Sequence, residues 1–240
     1  MTTPTPNGPG PRRIRLLVVD DDPLVRAGLA LMLGGADDIE IVGEGADGTE
    51  VAALADRLRP DVVLMDLRMP AMDGLTATER LRARPDAPEV IVLTTFHADE
   101  QVLRAIRAGA AGFVLKDTPA ERIVDAVRRV AAGDPVLSPA VTRQLMDRAA
   151  GTGPRGRDER AGAARRRLAQ LAGREREVAL SVARGRSNAE IAAALYLSVA
   201  TVKTQVSRIL ARCGFNNRVQ IALLVHDAGL LDEDGTPPPA

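Results

Sequence analysis

The chain has 240 residues, room for one large domain or two ordinary ones, and its 32 basic side chains balance 32 acidic ones. One cysteine excludes an internal disulfide, and one Cys with two His argues against a zinc site. No window reaches the apolar length of a membrane span, and the opening MTTPTPNGPGPRR lacks the apolar stretch of a secretory signal, so a cytoplasmic protein with no membrane partner is expected. Three Phe, one Tyr and no Trp argue against a stacking platform for single-stranded nucleic acid and against an aromatic-lined pocket.

Residues 1–12 read as a disordered arm. From Arg13 to Gly133 the pattern alternates. Strand-like runs at 14–19, 39–43, 61–65, 90–94 and 111–115 are separated by amphipathic segments at 23–33, 48–58, 74–83, 99–108 and 119–132. Five βα units in this length predict an α/β domain with a doubly wound, five-stranded parallel sheet. Asp22-Pro23 and Thr118-Pro119 each place a proline at a first helical position after a capping residue. Residues 134–167 read as a linker with one helix over 138–149, and GTGPRGRDERAGAARRR (151–167) is expected to be flexible. A smaller all-α domain follows over 168–231, with helices at 173–184, 188–195, 199–213 and 217–228, and the tail 232–240 is expected to be disordered.

Four apolar runs of the first domain end on residues suited to phosphate chemistry: Asp20 and Asp21 after LLVV, Asp66 after VVLM, Thr94 after VIVL, and Lys116 after GFVL. In an open α/β sheet, ligands bind outside the carboxyl ends of the strands, so these side chains converge on one edge. Three close carboxylates repel one another unless a cation or protons intervene, and an all-oxygen set of this kind suits Mg²⁺. One carboxylate is then a candidate nucleophile toward phosphorus, with the ammonium and hydroxyl neutralising the phosphoryl oxygens. A lone Asp at a strand end is more often a cap or turn residue; the set of four strand ends carries the signal. Lys116 stands out because the chain has 30 Arg and only two Lys, Lys116 and Lys203.

VVDDDPLVRAGL, VLMDLRMPAMDG, VIVLTT and AGFVLKD resemble the receiver domain of bacterial two-component response regulators, a flavodoxin-like fold, over residues 13–133. The resemblance implies that Asp66 accepts a phosphoryl group from the phosphohistidine of a sensor histidine kinase. It implies that Asp20 and Asp21 form the acidic pair, and that Asp21, Asp66 and the backbone carbonyl of Arg68 ligate Mg²⁺. Lys116 would pair with the phosphoryl group, Thr94 and Thr95 would lie at the switch, and Phe113 would be the aromatic switch residue. Asp117 replaces the proline of many receivers and matches one subfamily.

Residues 164–218 hold 11 basic against three acidic residues, which suggests a polyanion partner; a solvated charged face is the alternative. Ser187 and Glu190 form a capping box, Ser198 caps the next segment, and two helices joined by so short a turn make a helix-turn-helix. Val202, Val206, Ile209 and Cys213 form one apolar stripe, leaving Lys203, Thr204, Ser207 and Arg208 on a polar face fit for the major groove. LAGREREVALSVARGRSNAEIAAALYLSVATVKTQVSRIL resembles the LuxR-type helix-turn-helix, and with the receiver it resembles the NarL/FixJ-type regulators. That implies a transcription factor rather than a dedicated enzyme. Lys203, Thr204 and Ser207 would face bases, Arg208 and Arg186 would touch phosphates, and 217–228 would dimerise on double-stranded promoter DNA, where RNA polymerase would be a further partner. Ala172 stands where Thr is common, which weakens the first cap.

Enzymatic rivals fit less well. An aspartyl-phosphate hydrolase carries a second Asp two residues after the nucleophile, where this chain has Arg68, and no GxxxxGK[ST] loop is present.

Overall fold

The computed structural model describes residues 12–84, 86–94, 99–136 and 154–231. The first domain runs β1 (Ile14–Val19), α1 (Pro23–Leu33), β2 (Ile39–Gly45), α2 (Val51–Leu58), β3 (Val62–Asp66), α3 (Gly74–Arg82), β4 (Glu89–Thr94), α4 (Asp99–Ala108), β5 (Gly112–Leu115) and α5 (Ala120–Ala132). Every strand pairing is parallel, in the order β2-β1-β3-β4-β5. The apolar runs alternate strictly between the faces of this sheet, as a strand's period of two requires. Leu17, Val19, Val63, Met65, Val90 and Val92 pack with α2, α3 and α4. Leu16, Val18, Val62, Leu64, Ile91 and Leu93 pack with α1 and α5. The central strands are therefore buried on both sides, and function is pushed to the strand ends and loops.

Two helix starts differ from the sequence reading. α2 begins at Val51, not 48. Gly48 lies in a turn pressed on the next loop, where an added Cβ would stand 2.5 Å from the Met72 carbonyl oxygen. Thr118 does not cap α5: Pro119 takes the N-cap position, without a side-chain bond. Asp22 does cap α1, its Oδ1 accepting from Leu24 N at 2.8 Å.

The second domain has five described helices, not four: α6 (Pro154–Leu168), α7 (Gly173–Ala183), α8 (Asn188–Leu195), α9 (Val199–Cys213) and α10 (Arg218–Asp227). α6 replaces most of the flexible linker expected over 151–167. Ala164 and Leu168, four residues apart, are buried in the domain core beside Leu171 and Val225. That stripe is only two buried residues wide among arginines, so composition concealed it. The helix expected over 138–149 lies outside the described residues, as do the arm, except for Arg12, and the tail. No described helix is long and apolar enough to cross a membrane.

The domains touch. Val219 of α10 is buried in the core cluster that the receiver-like domain forms with α2, α3 and α4, and Leu223 packs beside it.

Candidate phosphoacceptor site and DNA-reading face

β1 and β3 end side by side, with Val19 opposite Met65, so Asp20, Asp21 and Asp66 meet at one point of the carboxyl edge. One carboxylate oxygen from each lies within 4.8 Å of the others. Asp20 is fully buried and Asp66 nearly so, whereas Asp21 faces solvent. β5 delivers Lys116, whose Nζ stands 2.6 Å from Asp20 Oδ2 and 2.9 Å from Asp66 Oδ1. Burial raises the Asp66 carboxyl above the usual range, with Asp20 pushing the same way and Lys116 opposing. Burial also works against the Lys116 ammonium, but its bonds to Asp20 and Asp66 outweigh that and its pKa is raised. The two carboxylates thus favour the charged form of Lys116, while burial disfavours the charged form of Asp66.

Asp20 Oδ1 accepts from Asp22 N at 3.0 Å, and the buried Oδ2 is met by the Lys116 ammonium at 2.6 Å. Three carboxylates against one ammonium leave the all-oxygen cluster net negative, which fits a hard divalent cation. Asp66 Oδ2 meanwhile accepts from Arg68 N at 2.9 Å, which brings the Arg68 peptide to the cluster. An open cleft of about 510 Å³ lies beside the cluster on its Asp21 side, lined also by Arg68, Pro70 and Arg104. Thr94, at the end of β4, is buried, and its carbonyl accepts from Lys116 N at 2.9 Å. Phe113 on β5 is buried and packs in the α2–α4 side core. Thr95 lies outside the described residues. Gly74 closes the loop after Asp66: a Cβ there would stand 1.9 Å from the Asp66 carbonyl oxygen, so no larger residue fits without displacing the acceptor strand.

In the second domain both parts of the capping box form: Glu190 N donates to Ser187 Oγ at 3.2 Å, and Ser187 N to Glu190 Oε2 at 2.7 Å. Ser198 caps α9 through Thr201 N at 3.0 Å. Ala172 offers no cap oxygen, and α7 keeps only the reciprocal half, Ala172 N to Glu175 Oε2. Val202, Ile209 and Cys213 are buried and Val206 partly so. Burial raises the Cys213 thiol, as expected of a core cysteine. Lys203, Thr204, Ser207 and Arg208 are all exposed on α9, although the Thr204 hydroxyl donates to Ala200 O within the helix. Arg186 is partly buried, and its carbonyl accepts from Arg218 Nη2.

The domain contact holds residues that sequence reasoning missed. Arg218, nearly buried, donates through Nη1 to Asp134 Oδ1 (2.8 Å), Gly133 O (3.1 Å) and Asn188 Oδ1 (2.9 Å). Burial lowers its pKa and Asp134 opposes the shift. Asn217 Nδ2 donates to the carbonyls of Ile106 and Ala110, at 2.7 and 2.8 Å, while its Oδ1 caps α10 through Gln220 N. Arg82 reaches Asn216 O from the first domain and pairs with Glu89 at 3.3 Å, and Glu89 in turn feels the charge of Lys203. The one sequence signal was a polar run, Asn216-Asn217-Arg218, at the start of the last helix.

A five-stranded parallel sheet carrying this acidic cluster, joined to a helix-turn-helix, defines a DNA-binding response regulator. The response regulator receiver domain model matches residues 16–128, and the luxR-family model of bacterial regulatory proteins matches residues 169–225. The transcriptional regulatory protein LiaR of Bacillus subtilis is 38% identical over 213 residues, covering 89% of this chain and 97% of that protein. The response regulator VraR of Staphylococcus aureus is 38% identical over 218 residues, covering 91% and 99%. A solved LuxR-family two-component response regulator from Aurantimonas sp. SI85-9A1 is 30% identical, covers 57% of this chain and 97% of its own, and superposes with a TM-score of 0.54. The chain belongs to the NarL/LuxR family of response regulators and is a transcription regulator of a two-component system. Receiver domains bind Mg²⁺ at an acidic pocket, and this chain presents that cluster; its receiver implies a sensor kinase partner and its LuxR domain implies DNA binding.

Proposed function

We propose that this regulator is switched by phosphorylation of Asp66 in the cytoplasm and binds promoter DNA as a homodimer when phosphorylated. The observation that carries it is the bridge of Lys116 between Asp20 and Asp66 inside the three-carboxylate cluster. An Asp66 oxygen attacks the phosphorus of the kinase phosphohistidine; the new P–O bond forms as the P–N bond breaks, and the imidazole leaves with a proton. Lys116 pairs with the incoming phosphoryl oxygens and gives up its contact with the unmodified carboxylate. Asp21, Asp66 and the Arg68 carbonyl would hold Mg²⁺, which supplies charge neutralisation for the phosphoryl oxygens when bound. Thr94 on β4 and Phe113 on β5 would carry the change at Asp66 into those strands.

The docked arrangement supports an inhibitory role for the receiver in the unphosphorylated state. It does not bury the α9 reading face, whose Lys203, Thr204, Ser207 and Arg208 stay exposed. What it holds is the first turn of α10, together with Asn188 at the start of α8. Docking therefore opposes the pairing of DNA domains through α10 more directly than it hides base-reading side chains. The test is a gel shift with promoter DNA, with and without acetyl phosphate, paired with sedimentation of the same samples. Phosphorylation should raise DNA affinity and dimer content together; equal affinity in both states would sink the reading.

A further inference from the structure

The loop from Leu67 to Asp73 carries the Arg68 carbonyl and Pro70 past the acceptor, and it is tied at two points. Its base is closed by Gly74 N donating to Leu67 O at 3.1 Å. Its tip is held from a different element. Asp47, in the turn between β2 and α2, accepts through Oδ2 from Ala71 N at 2.9 Å and Met72 N at 3.4 Å. Its Oδ1 accepts from Thr49 N at 2.9 Å and Thr49 Oγ1 at 2.8 Å, which fixes the carboxylate before it meets the loop. Gly48 then lets the two backbones touch, since an added Cβ would stand 2.5 Å from Met72 O.

Resting on the reading of Asp21, Asp66 and the Arg68 carbonyl as the Mg²⁺ set, we infer that Asp47 is a positioning residue for that site: it clamps the β3–α3 loop so that the Arg68 carbonyl is already in place when the ion arrives. A loop ordered beforehand does not have to be ordered by the ligand, and that difference appears as affinity. Charged acceptors make the stronger hydrogen bonds, which is why a carboxylate rather than an amide suits the clamp. The donors of Thr49 first, then Ala71, hold the Asp47 carboxyl at about 2, against an ordinary 3.8, so the clamp stays ionised throughout the pH range of phosphoryl transfer.

The test is calorimetric titration of the full chain with Mg²⁺, without any phosphodonor. Asp47→Ala should weaken Mg²⁺ about tenfold, the low end for residues that orient ligands without touching the metal. Asp47→Asn, with one acceptor oxygen instead of two, should fall between Asp47→Ala and the parent. Gly48→Ala should reproduce the loss by prising the loops apart, and Thr49→Val, which removes one of the two donors to Oδ1 and leaves the Oδ2 bonds to the loop in place, should stay within about twofold of the parent. At saturating Mg²⁺ the rate of labelling by acetyl phosphate should recover in Asp47→Ala, because the defect lies in placing the ion. If Asp47→Ala does not fold, Asp47→Asn carries the same comparison. Unchanged Mg²⁺ affinity in both Asp47 variants overturns the inference, and so does an equal loss in Thr49→Val. A parent protein that takes Mg²⁺ but no phosphoryl group overturns the acceptor role of Asp66 and leaves the clamp standing; one that takes no Mg²⁺ overturns both.

Discussion

Arg218 of the DNA domain and Asp134 of the receiver share a hydrogen bond of 2.8 Å across the domain boundary, and the same Asp134 oxygen accepts from Asn188 N at 3.0 Å. One receiver carboxylate thus grips two helix starts of the other domain. Asp134→Ala removes the grip without altering any residue of the DNA domain. Arg218 would keep its neutral acceptors, so the loss is that of two hydrogen bonds to one carboxylate oxygen, about 3 kcal/mol together. Unphosphorylated Asp134→Ala should bind promoter DNA more tightly than the parent, by up to about a hundredfold at 1.4 kcal/mol per tenfold. A gel shift without phosphodonor checks this; unchanged affinity would mean that docking does not restrain DNA binding.

Asp66→Asn should abolish labelling by acetyl phosphate, and it should also shift stability with a definite sign. The folded-state pKa of Asp66 is raised by burial. A carboxyl of that kind favours folding below its unfolded value, near 3.8, and loses that contribution as pH rises through the folded value. At neutral pH the charged form is therefore a burden that asparagine lacks. The Asp66→Asn protein should melt above the parent at pH 7 without Mg²⁺, and the gap should close on acidification below the ordinary Asp range. A lower melting point at pH 7 would contradict the burial argument.

Lys116→Met leaves Asp20, Asp21 and Asp66 without their internal counter-charge. The variant should be destabilised in a chelator and should gain more from Mg²⁺ than the parent does, because the ion then relieves the repulsion alone. At a hundredfold excess over its dissociation constant a ligand adds about 2.7 kcal/mol. Melting curves with and without Mg²⁺ measure the difference; equal gains in both proteins would show that Lys116 and the metal do not share this role.

Leu168→Ala tests the place of α6. Leu168 is buried in the second domain's core with Ala164. Its truncation should cost about 3 kcal/mol, within the usual span for a buried leucine. A fragment beginning at residue 154 should accordingly melt higher than one beginning at 168. Equal melting points would return residues 154–167 to the status of a tether.

Much of this was legible in the chain because the relevant forces are local and periodic. The receiver strands announce themselves by short apolar runs, and the row at their ends is a direct product of parallel topology. The capping residues Asp22, Ser187 and Ser198 are legible because an N-cap bond spans two or three residues. α6 was not, since a helix that buries only alanine and leucine beneath a coat of arginine has the composition of a solvated linker. The interdomain contacts were hidden for another reason: Asn217, Arg218 and Asp134 pair across more than 80 residues of sequence, and nothing in their neighbours marks the partner. Asp47 reads as an ordinary turn residue until the loop that it holds is seen.

The first turn of α10 is occupied by the protein's own receiver, and that rival is tethered. Its local concentration does not fall on dilution, whereas that of a second copy does. Any event that needs this turn must outcompete a neighbour that is always present, so the number of molecules per cell becomes an input beside the phosphoryl group. If pairing through this turn follows phosphorylation as proposed, the tethered contact would prevail at low copy number, whereas the same degree of phosphorylation would yield more paired protein as copies accumulate, and the response would steepen with expression.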